Sequence, residues 1–252
     1  MSNLSNKALI AFLALALLLA ALLLATSCTS TQTIEWPPPA VSHSDADLSK
    51  IEFQQISLNK AEASTREASV KVRKESGGHG SGTYFLFEGY HVVFTAAHVA
   101  TGSRTFKIID KYGNKRLGTL AYLEKNADFA IILIPAFRRI KPIKFEVPDY
   151  NPVKEIGKEL VFSGYPGRQS LRTVRALIAG VEGRRFVMHS TAWNGSSGSC
   201  VFDSSGKFVG VAFAISVSQF RGKPVLLESM VWVEPYTSID WVMAKRFIKS
   251  LN

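Results

Sequence analysis

Cysteine is scarce in this chain: two of 252 residues, Cys28 and Cys200. If Cys28 is lipidated or removed, Cys200 has no partner and the domain folds without disulfides. An extracytoplasmic location permits such bridges but does not require them. Zinc-ligand spacing is missing too, and neither a metal nor a cofactor is expected. Internal repeats are lacking. Charge is thin at the start, where Lys7 is the only charged residue before Cys28 and no acid precedes Glu35. The formal net charge of +10 would suit anionic partners. However, the basic residues are scattered, with modest clusters at Arg138-Arg139, Arg168 to Arg175 and Arg184-Arg185, and no aromatic-interleaved stripe. They read as solvated surface, and no nucleic-acid partner is expected.

What is present begins with an unbroken apolar run, Ala8 to Ala25, followed by Thr26-Ser27-Cys28. Its 18 residues fall between a secretory core of ~7–15 and a spanning helix of ~17–25. A lone N-terminal cation places the bulk of the chain outside the cytoplasm. Leu24-Ala25-Thr26-Ser27-Cys28 resembles a bacterial lipobox, with Ala25 where a larger aliphatic residue is usual. That resemblance implies lipidation at Cys28. Residues 1–28 are expected to be a signal peptide or membrane anchor. The protein is expected in the bacterial periplasm or on the cell surface, held to the membrane through the anchor or the lipid. Residues 29–65 are rich in Ser, Thr and Pro, with Pro37-Pro38-Pro39 in polyproline form. They read as a tether that packs little on the domain, with one short helix around Ala46–Leu58.

Strand signals dominate thereafter, as short β-branched or aromatic runs punctuated by turn residues. One series is expected at 68–73, 82–87, 91–95, 105–110, 115–123 and 129–134. A second follows the Pro-containing stretch Pro142–Pro152, at 159–163, 173–181, 186–190, 198–203, 207–215 and 226–233. The fold class is all-β: two antiparallel six-stranded barrels, about 66–140 and 150–235. A helix closes the chain at about 238–250, with Ser238 as its N-cap and Lys245, Arg246 and Lys249 toward its C-terminal end.

Three local patterns carry chemistry. Val92-Val93-Phe94-Thr95 runs into Ala96-Ala97-His98, which places an imidazole at a barrel edge. Alone, a histidine at a strand end more often satisfies a carbonyl. Asp128 precedes the apolar run Phe129 to Ile134, where an unpartnered acid would be costly and a His Nδ1–H would serve it. Its bland alternative is capping the Lys125–Ala127 turn. Asp110, Asp149 and Asp203 are weaker rivals. Gly195-Ser196-Ser197-Gly198-Ser199 allows dihedrals that aim the N–H groups of Gly195 and Ser197 at one point. By itself a Gly/Ser turn is no more than a hairpin. A serine needs a base, and the base an orienting acid. The order His, Asp, Ser, each with its flanks, supplies all three.

Together with Gly80-Ser81-Gly82-Thr83, Gly164-Tyr165-Pro166-Gly167 and Gly206 to Val211, these motifs resemble trypsin-like serine proteases of the bacterial type, similar to glutamyl endopeptidases and periplasmic heat-shock proteases. The resemblance covers residues 66–248. It implies a chymotrypsin-like double barrel, a protein or peptide substrate, and an acyl-enzyme on Ser197, with His98 as base and Asp128 as orienting acid. Ser196 departs from the usual Asp or Asn, so activation by a new N-terminal amine is not expected. Cys200 departs from the usual proline. The resemblance also sets the specificity pocket between Thr191–Asn194 and Ala212–Ile215, with Thr191, Ala212, Phe213 and Ala214 as its walls. Without an acid there, small or medium apolar side chains fit, while a glutamate preference would require His189 to face the pocket. The alternative is a catalytically degenerate protease-fold lipoprotein that binds partners or supports the envelope.

Overall fold

A computed structural model describes residues 57–148, 155–167 and 169–250. The apolar run 8–25, Cys28, most of the tether and Asp149 lie outside the described residues. Strands β1 (Ser69–Lys74), β2 (His79–Phe87), β3 (Tyr90–Ala96), β4 (Thr105–Ile109), β5 (Lys115–Glu124) and β6 (Phe129–Leu133) form the first barrel. They run β1-β4-β5-β6-β3-β2, and a β1–β2 pairing closes the ring. An added two-residue strand, β7 (Ile143–Lys144), pairs parallel to β2 within the Pro-containing connection. The second barrel closes in the order β10-β13-β12-β11-β8-β9. Its strands are β8 (Glu159–Gly164), β9 (Arg172–Glu182), β10 (Arg185–His189), β11 (Cys200–Asp203), β12 (Phe208–Phe220) and β13 (Lys223–Pro235). The expected class, two six-stranded antiparallel barrels with a final helix, is the observed one.

β12 and β13 run further than expected, because Arg221-Gly222 joins them in a tight turn with φ of 51° and 73°. Two positive φ values match the right-handed strand twist, so pairing continues to the tip. The usual signal is Asn-Gly, and the arginine hides it.

Helices at the two ends of the domain cross over. α1 (Lys60–Ala68) opens with a capping box between Asn59 and Glu62 and packs on β8 of the second barrel. Its Ala61, Glu62 and Thr65 are buried, and Glu62 pairs with Arg175. The tether therefore does not extend to residue 65. Its last residues belong to the folded domain, because the capping box satisfies the helix start and the buried face finds a sheet. α2 is the single turn Ala97–Ala100. α3 (Trp241–Lys249) is capped by Asp240, which accepts the Met243 N–H, and not by Ser238, which ends a preceding 3₁₀ turn. Trp241 of this C-terminal helix enters the first barrel's core among Phe87, Phe94, Phe129 and Phe145.

Candidate active site

The histidine comes from the end of β3. Thr95 is buried and donates its hydroxyl to the Ser81 carbonyl at 2.7 Å, which ties β3 to β2 before the chain turns. Ala96 keeps extended dihedrals, and α2 then lifts His98 out of the barrel with its side chain about half exposed. Asp128 holds this turn from the other side. Its carbonyl accepts the Ala97 N–H at 2.9 Å, its Oδ1 the His98 N–H at 2.9 Å, and its Oδ2 the His98 Nδ1–H at 2.8 Å. Donation from Nδ1 leaves Nε2 with its lone pair, the tautomer a general base needs. Asp128 has a φ of +42°, a left-handed conformation that short polar residues tolerate best. Its backbone N–H closes the turn onto Lys125 at 3.2 Å, so the turn reading holds for the main chain while the carboxylate serves His98. The rivals are consumed locally: Asp110 by Tyr112 and Asn114, and Asp203 by Ser205 and Lys207.

The serine lies in a loop that the first barrel also shapes. Ser81 donates its hydroxyl to the Gly195 carbonyl at 2.7 Å, and its N–H to the Ser197 carbonyl at 2.8 Å. Gly198 donates to Ala212 at 2.7 Å, and Ser196 to Trp193 at 2.8 Å. Two glycines are obligatory. A Cβ on Gly195 (φ +97°) would lie 2.6 Å from the Tyr165 carbonyl, and one on Gly198 (φ +88°) 2.2 Å from Thr95 Oγ1. The Gly198 approach packs the serine loop against the chain that carries His98. Among the described residues, the N–H groups of Gly195 and Ser197 are given to no internal acceptor. Two free donors beside the serine can receive an oxyanion.

Ser197 Oγ itself donates to the Phe213 carbonyl at 3.3 Å, and no hydrogen bond joins it to His98. The structure thus brings His98 and Asp128 together and leaves the Ser197 hydroxyl on the Phe213 carbonyl. Ser196 is not a second nucleophile: it is buried and its hydroxyl accepts the Trp193 N–H at 3.3 Å. Cys200 is fully buried, its thiol pushed up to about 12 by desolvation, so it carries no thiolate reactivity.

Next to Ser197 is a cavity of about 130 Å³ walled by Ala192, Trp193 and Asn194 on one side and by Ala212 to Ile215 on the other, with Val231 behind. Ala212, Phe213 and Ala214 fall where the sequence reading put them. Thr191 does not: it is exposed, and its neighbour Ala192 turns inward instead. Among the described residues, none that lines the cavity is charged. His189 opens into a separate cleft with Glu62 and Arg175. Local sequence does not mark Ser81 as a site residue, because its role depends wholly on contacts across the barrels. The signal available was its flanking by Gly80 and Gly82, where a Cβ would strike Val99 at 2.6 Å and Val93 at 2.5 Å.

Two closed barrels, with the His98–Asp128 pair on the first and Ser197 in a loop of the second, have the architecture of chymotrypsin-fold serine hydrolases. Residues 80–211, just over half of the chain, match the trypsin-like peptidase domain. The chain belongs to that family and is a serine endopeptidase. Solved structures agree on the fold. The Rv3671c protease from M. tuberculosis, in its inactive form, is 20% identical over 74% of this chain and 92% of its own, with a TM-score of 0.59. The serine endoprotease from Yersinia pestis gives 18%, 75% and 65% at 0.59. The HtrA-type protease AlgW, with a tripeptide, gives 16%, 74% and 62% at 0.60. No curated protein matches the sequence.

Proposed function

We propose that the chain hydrolyses peptide bonds through an acyl-enzyme on Ser197. In this reading the Ser197 side chain rotates from the Phe213 carbonyl to His98 Nε2, giving up a single long hydrogen bond of about 1 kcal/mol. His98 takes the hydroxyl proton as Oγ attacks the carbonyl carbon, then returns it to the leaving amine. Asp128 keeps the imidazole in one tautomer and orientation. The N–H groups of Gly195 and Ser197 receive the oxyanion, each worth about 3–4 kcal/mol in comparable sites. The observation that carries this reading is the double grip of Asp128 on His98, backbone and ring, since a solvated carboxylate has no need of both.

The uncharged cavity favours small or medium apolar side chains just before the scissile bond, because a charged one would be buried without a partner. We place the enzyme outside the cytoplasm, tethered through residues 8–25 or a lipid on Cys28. That placement rests on the apolar run and the lipobox-like residues alone.

A fluorophosphonate probe should label the full chain, and Ser197→Ala should abolish both label and cleavage of a denatured protein. The degenerate-lipoprotein reading draws on one observation, the Ser197 hydroxyl turned to Phe213. It would gain if the folded chain resisted the probe, cut no peptide, and held the same partner with and without Ser197. Metabolic palmitate label lost in Cys28→Ser would support lipidation, and label that persists would reject it at that residue.

A further inference from the structure

Resting on the reading of Ser197, His98 and Asp128 as a triad, we propose that Glu234 is a positioning residue that braces both halves of the site through Arg184 and Arg185. Glu234 has no exposed surface. It lies on β13 one residue beyond Val233, whose side chain belongs to the second barrel's core. Strand alternation therefore turns Glu234 out of that core. Two guanidinium groups meet it there: Arg185 Nε donates to Oε2 at 2.6 Å, and Arg184 Nε stands 3.5 Å from Oε1. Arg184 lies in the β9–β10 turn and Arg185 opens β10, and each continues to one side of the site.

Arg184 reaches the first barrel, where its Nη2 donates to the Asn126 carbonyl. Asn126 lies inside the tight turn that ends at Asp128, closed by the Asp128 N–H on Lys125. Arg185 lays its guanidinium over the Phe213 ring, 4.8 Å from the centroid. Phe213 walls the pocket, and its carbonyl holds the Ser197 hydroxyl. One buried carboxylate thus stands behind the acid on one arm and behind the nucleophile's resting partner on the other.

Stability alone does not call for this arrangement. Burying the Glu234 carboxylate is costly, while Arg184 and Arg185 stay partly exposed, and an apolar residue of similar volume often serves a core as well as or better than a buried charge. What an ionic trio adds is direction, because the planar guanidinium fork fixes where Asn126 and Phe213 lie. Both Arg184 and Arg185 sit in a cluster that the sequence offered only as solvated surface.

The two arms separate the test. In the full chain, Arg184→Ala should slow fluorophosphonate labelling and lower kcat by about tenfold or more with KM near the wild-type value, since small misplacements of catalytic groups are costly. Arg184→Lys, which can still reach the carbonyl, should recover much of that loss. Arg185→Ala should chiefly raise KM for a short peptide substrate and leave labelling within about twofold, because the pocket wall loosens while His98 stays held. Glu234→Gln should show both effects; where it fails to fold, the arginine variants decide. Folded Arg184→Ala with wild-type labelling and kcat overturns the proposal, as does activity that falls only in step with melting temperature in all variants alike. A wild-type chain that resists labelling overturns the triad reading itself, and this proposal with it.

Discussion

The first barrel and the second divide the work of the site unequally, and their interiors differ in the same sense. The first supplies His98 and Asp128 over a core of interlocked rings, in which Phe94 meets Phe85, Phe87, Phe129, Phe145, Phe208 and Trp241 edge-on or tilted. The second supplies Ser197, the free N–H groups and the pocket over a smaller core of mostly aliphatic residues, including Leu160, Ile178, Met188 and Val231. In the proposed mechanism base and acid must keep one mutual orientation, and interlocked rings with preferred edge-to-face geometry oppose small slides. The serine loop must offer backbone donors, so its geometry comes from glycine and from contacts across the seam. Neither barrel holds a site alone. Each is also covered by the helix that lies at the other's end of the chain.

Removing one chemical group from each side breaks the comparison most sharply. Ser197→Ala should lower kcat by roughly 10⁶-fold, as for nucleophile loss in comparable triads. Asp128→Asn should cost roughly 10⁴-fold, by leaving His98 in the wrong tautomer. The double variant should be no worse than Ser197→Ala, because the groups act as a unit; additive losses in single-turnover assays would contradict a shared mechanism.

The cores come next. Phe94→Ala should destabilise by about 3–5 kcal/mol, and Phe186→Ala of the second barrel, buried without a ring neighbour among the described residues, should lie toward the low end of that range. Urea midpoints would measure both, and equal losses would remove the argument from ring packing.

A gentler change probes the pocket. Ala214→Leu should fill part of the cavity and reduce kcat/KM for a leucine substrate relative to an alanine one by about 10–100-fold. An unchanged ratio would place the specificity pocket elsewhere.

The smallest effect concerns how the crossing helices are fastened. Hydrogen bonds from Lys245 and Lys249 hold the Glu88 carboxyl below its ordinary value. That from Arg175, chiefly, does the same for Glu62. A group depressed on folding adds stability that is present above its unfolded value near 4.5 and lost as pH falls through the folded one. Stability should therefore drop from about pH 5 downward. Glu88→Gln should cost under about 1 kcal/mol at pH 7, as exposed pairs do, and leave a shallower acid slope. A slope as steep as that of the wild type would assign the acid sensitivity to other groups.

Local signals made most of this molecule legible in advance. Alternating β-branched and aromatic residues mark twelve strands because the period of two is a property of the strand itself. The proposed triad of His98, Asp128 and Ser197 was readable as a candidate because each residue carries its own flank: small residues after a strand, an acid before an apolar run, glycines around a serine. Several features were not local, and only the tertiary structure decided them. Whether Thr191 or Ala192 faces the pocket is a matter of one residue of register, set by hydrogen bonds from Ser190 and Ala192 to the β13 chain. Ser81 looks like an ordinary hydroxyl until the other barrel is brought against it, and Glu234 like an ordinary charge until the barrel closes and sets Arg184 and Arg185 beside it. α1 hides in a polar stretch because its few buried side chains, Ala61, Glu62, Thr65 and Ala68, need a sheet that the chain makes only some 90 residues later. The sequence determined which groups exist and what each can do chemically. The closing of two barrels against one another determined which of them meet.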